Sequence, residues 1–421
     1  MARISAFQLT LFLLSVGLAH ADEVQHWSFL DDFSGRLDVR AIARDGERSW
    51  LKDSFGKTRF GNGDDLEGQL ALANAALVWQ PHVMEWDLAG YVHAQANPGQ
   101  YNGVDLVEAY LKWKPVPDSD TRFSMRGGMF FPPISLEHDG LAWTTTRTLT
   151  PSAINSWVGE EVLVLGLEGS VRTVFDDHEF QLTAAVFENN DTSGTLLTFR
   201  GWAMHDVLAT AFGDFAIPDR SPAWNAFYMT QAPSTEPTRE VDGRFGSYVR
   251  LDWSPPFPVT FNVLYYDNHG NPTVVEEGQY GWRTRFVNAG VAVDFDDKTE
   301  LLAQYMNGET VMGHWMPPEG WMADVGFASA YVLLSRQFEF GLVAGRVDWF
   351  EVRDRNYEWI DDNNDRGWAG TLSWRAPVRD WATLAAEALY IDSDHPARAD
   401  QGHDPQQQEL LLQLALQIEF K

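Results

Sequence analysis

The chain has 421 residues, a formal net charge of −29, no cysteine and a mean hydropathy of −0.28. So acidic a balance excludes nucleic-acid binding, which needs basic patches, and docking on anionic lipid through a polybasic surface. The absence of cysteine excludes a disulfide scaffold, and no apolar run after residue 21 is long enough for a membrane-spanning helix.

Residues 1–21 read as a secretory signal peptide. Arg3 supplies the basic start, Phe7 to Leu18 the apolar stretch, and Ala19-His20-Ala21 a small-residue cleavage site. Loss of Arg3 with that segment takes the charge from −29 to −30. Residues 22–421 carry no linker or shift in composition, and are expected to form one unit.

Period-2 segments then follow one another along the chain. Residues 36–44 set Leu37, Val39, Ala41 and Ala43 against Arg36, Asp38, Arg40 and Arg44. Strands are expected at 65–80 and 84–96, the second setting Met84, Trp86, Leu88, Gly90, Val92 and Ala94 against Glu85, Asp87, Tyr91, His93 and Gln95. Residues 107–114 oppose Val107, Ala109, Leu111 and Trp113 to Glu108, Tyr110, Lys112 and Lys114. Residues 122–130 oppose Phe123, Met125, Gly127 and Met129 to Arg122, Ser124, Arg126 and Gly128. The pattern recurs at 161–170, 178–188, 243–254, 257–267, 282–295, 298–307, 322–336, 337–350, 366–377, 380–391 and 408–420, with a less regular candidate at 195–206. In the last strand Leu410, Leu412, Leu414, Leu416, Ile418 and Phe420 share one face.

These segments predict an all-β fold, a transmembrane antiparallel β-barrel of 16 strands with 18 as the alternative count. Tight turns (252–257, 374–380) alternate with long loops (207–242, 308–320, 351–366), as a barrel with two unlike rims requires. A Trp-rich soluble sandwich, such as a sugar binder, is the rival, but its strands are usually about five or six residues long. The aromatic content of 13%, with Trp 18 and Phe 26, suits belts at the lipid headgroups. The expected location is the outer membrane of a Gram-negative bacterium.

The segment from Glu108 to Glu168 is the most distinctive. It runs Glu108-Ala109-Tyr110-Leu111-Lys112-Trp113-Lys114-Pro115, then Met125-Arg126-Gly127-Gly128-Met129-Phe130-Phe131-Pro132-Pro133-Ile134-Ser135-Leu136-Glu137, then Thr144-Thr145-Thr146-Arg147-Thr148-Leu149-Thr150. This resembles the phosphate-selective porin O/P family. The resemblance implies a trimeric outer-membrane porin with the loop near 132–160 folded inward. Pro132-Pro133 fits such a redirection, because consecutive prolines end strand pairing. Glu137, Asp139 and Arg147 are the expected constriction residues, and Arg36, Arg40, Glu108, Arg122 and Arg126 the expected pore lining. The chain departs from the family where selectivity is decided: lysines are scarce, and Glu85, Asp87, Glu108 and Glu419 share the arginines' face. No family selectivity residue is carried over.

The chain has no G-x-S-x-G, P-loop or H-E-x-x-H motif. Asp361-Asp362-Asn363-Asn364-Asp365-Arg366-Gly367 resembles a calcium loop, but Gly falls one place late and no closing Glu follows. The sequence therefore points to passive diffusion of small hydrophilic solutes or ions, with no cofactor, metal or catalysis. Its expected partners are outer-membrane lipid and lipopolysaccharide, small polar solutes and two further copies of the chain. An adhesin or structural barrel, or less readily an outer-membrane enzyme, is the alternative. Phe420 is expected to act as the terminal assembly aromatic although Lys421 follows it.

Overall fold

Alternation commits each strand to an inner and an outer face, and the hydrogen-bond ladder decides which is which. The computed structural model describes residues 32–63, 66–83, 86–96, 102–117, 119–318, 320–355 and 360–421. The signal-peptide reading and Glu85 fall outside them. Sixteen antiparallel strands form the barrel: β1 (Phe33–Asp45), β2 (Glu67–Trp79), β3 (Leu88–Ala96), β4 (Asp105–Trp113), β5 (Arg122–Phe130), β6 (Val164–Phe175), β7 (His178–Glu188), β8 (Gly246–Ser254), β9 (Val259–Asp267), β10 (Trp282–Asp296), β11 (Thr299–Met316), β12 (Gly320–Phe338), β13 (Gly341–Asp354), β14 (Asp365–Arg379), β15 (Ala382–Asp394) and β16 (Gln406–Phe420). Each pairs with its chain neighbours, and β1 also pairs with β16, from Gly35↔Phe420 to Asp45↔Leu410. Closure leaves no edge strand, the condition for placing a sheet in lipid.

The closing strand settles which side faces the core. Leu410, Leu412, Leu414 and Leu416 are 40–49% exposed, whereas Glu409, Gln413, Ala415 and Gln417 are at most 4% exposed. A sandwich would bury the leucines; here they form the outer wall. Trp113, Phe123, Phe175, Trp253, Phe257, Phe295, Phe340, Trp381 and Phe420 are exposed at or beside the rim of short turns. That is an interfacial girdle, and with the apolar wall it makes the chain an outer-membrane barrel. The turn at Asp176 and Asp177 has φ of 50° and 63°, the mirror-image geometry that matches the twist of a tight hairpin.

Two expectations are corrected. Residues 195–206 are not a strand: a helix (Gly194–Phe199) and irregular chain lie there, buried as far as His205, so their apolar content reflects packing rather than pleating. Residues 308–320 are mostly not a loop, because β11 runs on to Met316 and pairs with β12 as far as Met316↔Gly320. The hairpin keeps its ladder because Thr310 and Met312 continue the inward face, both fully buried.

At the β1–β16 seam the Phe420 ring lies over Gly35, where a Cβ would come within 2.3 Å of the ring. Deleting Phe420 should cut the yield of closed barrel severalfold, and deleting Lys421 should leave it unchanged, as read by heat-modifiable gel migration.

Candidate constriction inside the barrel

Two long loops enter the lumen from the rim opposite the short turns. L3 (residues 131–163) leaves β5 at Phe131-Pro132-Pro133, where the prolines cannot donate to a ladder. It carries α1 (Ala153–Val158), whose first turn is capped by Ser152 Oγ accepting from Asn155 N; every residue of α1 is buried. L4 (residues 189–245) carries α2 (Gly194–Phe199) and α3 (Pro222–Phe227).

L3 is held against the β11–β15 wall by charge. Arg346 on β13 donates to Glu137 Oε1 (2.9 Å), Asp348 Oδ2 (2.7 Å) and the carbonyls of Thr150 (2.8 Å) and Pro151 (2.9 Å). Glu137 Oε2 accepts from Asn155 Nδ2 (2.6 Å) and Ser152 N (2.9 Å). Burial works to raise the Glu137 pKa, but Arg346 and these donors hold it below the ordinary carboxylate value. Glu387 on β15 accepts from Leu149 N and Thr150 N (2.5 and 3.1 Å). Arg147 pairs with Glu300 on β11 and with Asp139 (2.5 and 2.7 Å).

L4 packs on L3 and on the facing wall. Ser156 Oγ accepts from His205 N (2.9 Å), and Trp202 meets Trp157 edge-to-face at 5.9 Å. Asp206 is the latch: its carboxylate takes Arg40 of β1 at 2.5 Å and Arg59, from the first loop, at 2.9 Å. Despite burial, the two guanidiniums hold Asp206 well below the usual carboxylate range. Arg40 also pairs with Asp38 at 2.9 Å.

Between L3, L4 and the β1–β3 wall lies a small recess of about 20 Å³, lined in part by Arg36, Arg40, Asn74, Gln95, Glu160 and Asp206. It opens among polar groups, whereas Trp157, Trp202, Phe286 and Phe327 pack the rest of the lumen at this height. The lumen between L3, L4 and this wall is narrow, and Arg40 and Arg59 beside it are compensated by carboxylates.

Arg36 and Arg40 line this recess. Asp139 and Arg147 meet each other, and Glu137 is spent in anchoring L3. Arg122, Arg126 and Glu108 belong to another part of the wall. Arg126 pairs with Glu168 at 2.8 Å, Glu108 accepts from Phe131 N at the start of L3 (3.3 Å), and Arg122 is exposed with no ion pair among the described residues. Sequence reasoning missed Asp206, Arg59, Glu160, Asn74 and Arg346. The one available signal was the apolar stretch around Trp202, too oily for an external loop.

Within L3, His138 Nε2 lies 2.8 Å from Glu160 Oε1. Burial pushes the His138 imidazole down to about 4 and the Glu160 carboxyl well above its ordinary value, the latter helped by the charge of Asp206. His138 therefore sits neutral in the packed loop, whereas a released loop would take a proton near 6.5. Its contribution to packing is full above that value and falls away as pH drops toward 4. The raised Glu160 carboxyl works in the opposite direction, its packing weakening as pH rises, so Glu160→Gln should uncover a rise in protease cleavage of L3 between pH 6.5 and 4 that His138→Gln removes.

No protein-family model and no curated protein sequence matches the chain. Solved structures share its fold. The outer membrane channel DcaP of Acinetobacter baumannii aligns with TM-score 0.54 at 9% identity, over 92% of this chain and 96% of that one. OprB of Pseudomonas putida aligns with TM-score 0.52 at 13% identity, over 93% and 95%. The trimer form of OmpT, an outer membrane protein of Vibrio cholerae, aligns with TM-score 0.51 at 8% identity, over 92% and 98%.

Proposed function

We propose that the chain is an outer-membrane porin passing small hydrophilic solutes by passive diffusion, without catalysis. One observation carries this reading: a lipid-facing closed barrel whose loops leave a polar recess beside an arginine-bearing wall. Paired opposite charges across a narrow lumen orient polar solutes without holding them. DcaP, a channel of the same fold, supports the reading. The trimer form of OmpT supports a homotrimer, and the apolar outer wall suits a setting of outer-membrane lipid and lipopolysaccharide. Phosphate selectivity is not part of the proposal, because Arg36, Arg40 and Arg59 each have a carboxylate partner.

The filled interior favours one rival, a barrel without a useful pore that acts through its loops. Liposome swelling separates the two. Proteoliposomes should swell in small sugars and amino acids, at rates falling steeply with solute size. Vesicles as tight as protein-free controls, with the barrel shown closed by gel migration, would exclude the porin reading.

A further inference from the structure

A separate cleft lies on the short-turn side of L3, against the inner faces of β3 and β4. It encloses about 390 Å³, within the range of about 300–1,000 Å³ usual for ligand pockets. Its room follows from the pairing of β3 with β4. Ala89 stands opposite Lys112, with Gly90 beside it, so the floor there is little more than backbone. Tyr91 and Tyr110 make the wall nearest L3, their rings stacked at 4.9 Å and 11°. The tip of L3, at Leu141 and Ala142, packs in one cluster with Tyr91.

Lys112 and Lys114 make the opposite rim, toward the short turns. They lie two residues apart on one face, so their stems leave the wall about 7 Å apart. Lys114 keeps the strand pairing just past β4, its N–H donating to Asp87 O (3.0 Å). Both lysines are exposed, and neither has a carboxylate within ion-pair distance among the described residues. Asp87 is the one acid among the described lining residues, so the ammoniums outweigh it. Beyond the cleft, Arg126 is neutralised by Glu168, while Arg122 adds another unpaired cation. In a chain of net charge −29, this stretch of lumen wall is locally positive.

Two kinds of surface therefore meet in one cleft, and each narrows the ligand. An inorganic anion would meet the ammoniums but gain nothing from the tyrosine rings, and would shed water against them. A neutral aromatic would stack and leave the ammoniums unused. An anion with a planar apolar body uses both, its carboxylate taking charge-assisted hydrogen bonds from the lysines and its body lying along the rings.

Resting on the porin reading, we infer that this cleft is a low-affinity site for a small organic carboxylate with a planar apolar body. Lys112 and Lys114 hold the carboxylate, and Tyr91 and Tyr110 hold the body. Such a site aids flux only if it binds weakly enough to let go.

The test is saturation-transfer NMR on the closed, detergent-solubilised barrel, read against protein-free micelles. Benzoate, benzyl alcohol and inorganic phosphate serve as separate probes. This readout needs no conductance, so it can fail while the porin reading stands, and the reverse. Benzoate should give a saturable signal. The double variant Lys112→Gln/Lys114→Gln, checked for closure by gel migration, should raise its half-saturation by about tenfold, as loss of a hydrogen bond to a charged group requires. Benzyl alcohol and phosphate should show no saturation over the same range. A benzoate signal that never saturates, either other probe saturating as readily, or an unchanged double variant would each overturn the inference. The comparison of probes on the unmodified chain decides the matter even if the variant fails to close.

Discussion

Replacing Arg346 with alanine should free L3 from the barrel wall and raise single-channel conductance severalfold. Arg346 is 2% exposed and joins Glu137 of L3 to Asp348 of β13 while also holding the carbonyls of Thr150 and Pro151. Removing it strands two buried carboxylates, and breaking a buried pair from one side costs about 3–5 kcal/mol. The barrel itself should survive, since its strands are held by backbone ladders on both sides. Hydrogen exchange should therefore quicken in α1 and stay slow in β13. Adding Glu137→Gln should recover part of the loss, because one of the stranded charges is then gone.

Asp206→Ala should have a comparable effect from the opposite side. It leaves Arg40 with Asp38 alone and Arg59 with no carboxylate, at 2% and 7% exposure. Two guanidiniums formerly bridged by one carboxylate would then repel in a buried setting, again a cost of about 3–5 kcal/mol. L4 should lift from the β1 wall, so that cleavage between residues 200 and 210 becomes fast and the recess widens. Conductance should rise, with a shift toward anions as Arg40 and Arg59 are uncovered. Asp206→Glu, which keeps the charge, should change it much less.

The barrel was legible because lipid contact imposes a strict period on every strand. The faces of β1 and β16 follow from alternation alone: Arg36 and Arg40 point inward and Leu410, Leu412, Leu414 and Leu416 outward. Strand ends were less legible. β11 overruns its expected end because pairing with β12 depends on cross-strand partners and not on local composition. The constriction was the least legible part. Arg40 and Asp206 are brought to 2.5 Å across a separation of 166 residues, and no local pattern encodes that. Glu137 was identified as a loop residue of interest, but its partner Arg346 lies 209 residues away and decides that it anchors L3. Loop L4 announced itself only through buried aromatics such as Trp202, which alternate poorly and imitate a weak strand.

Planar-bilayer recording of the closed, purified barrel tests the central claim most directly. The account predicts discrete steps of low conductance for the natural chain, and larger steps for Asp206→Ala and Arg346→Ala under the same salt. An electrically silent natural barrel that stays silent in both variants would contradict it.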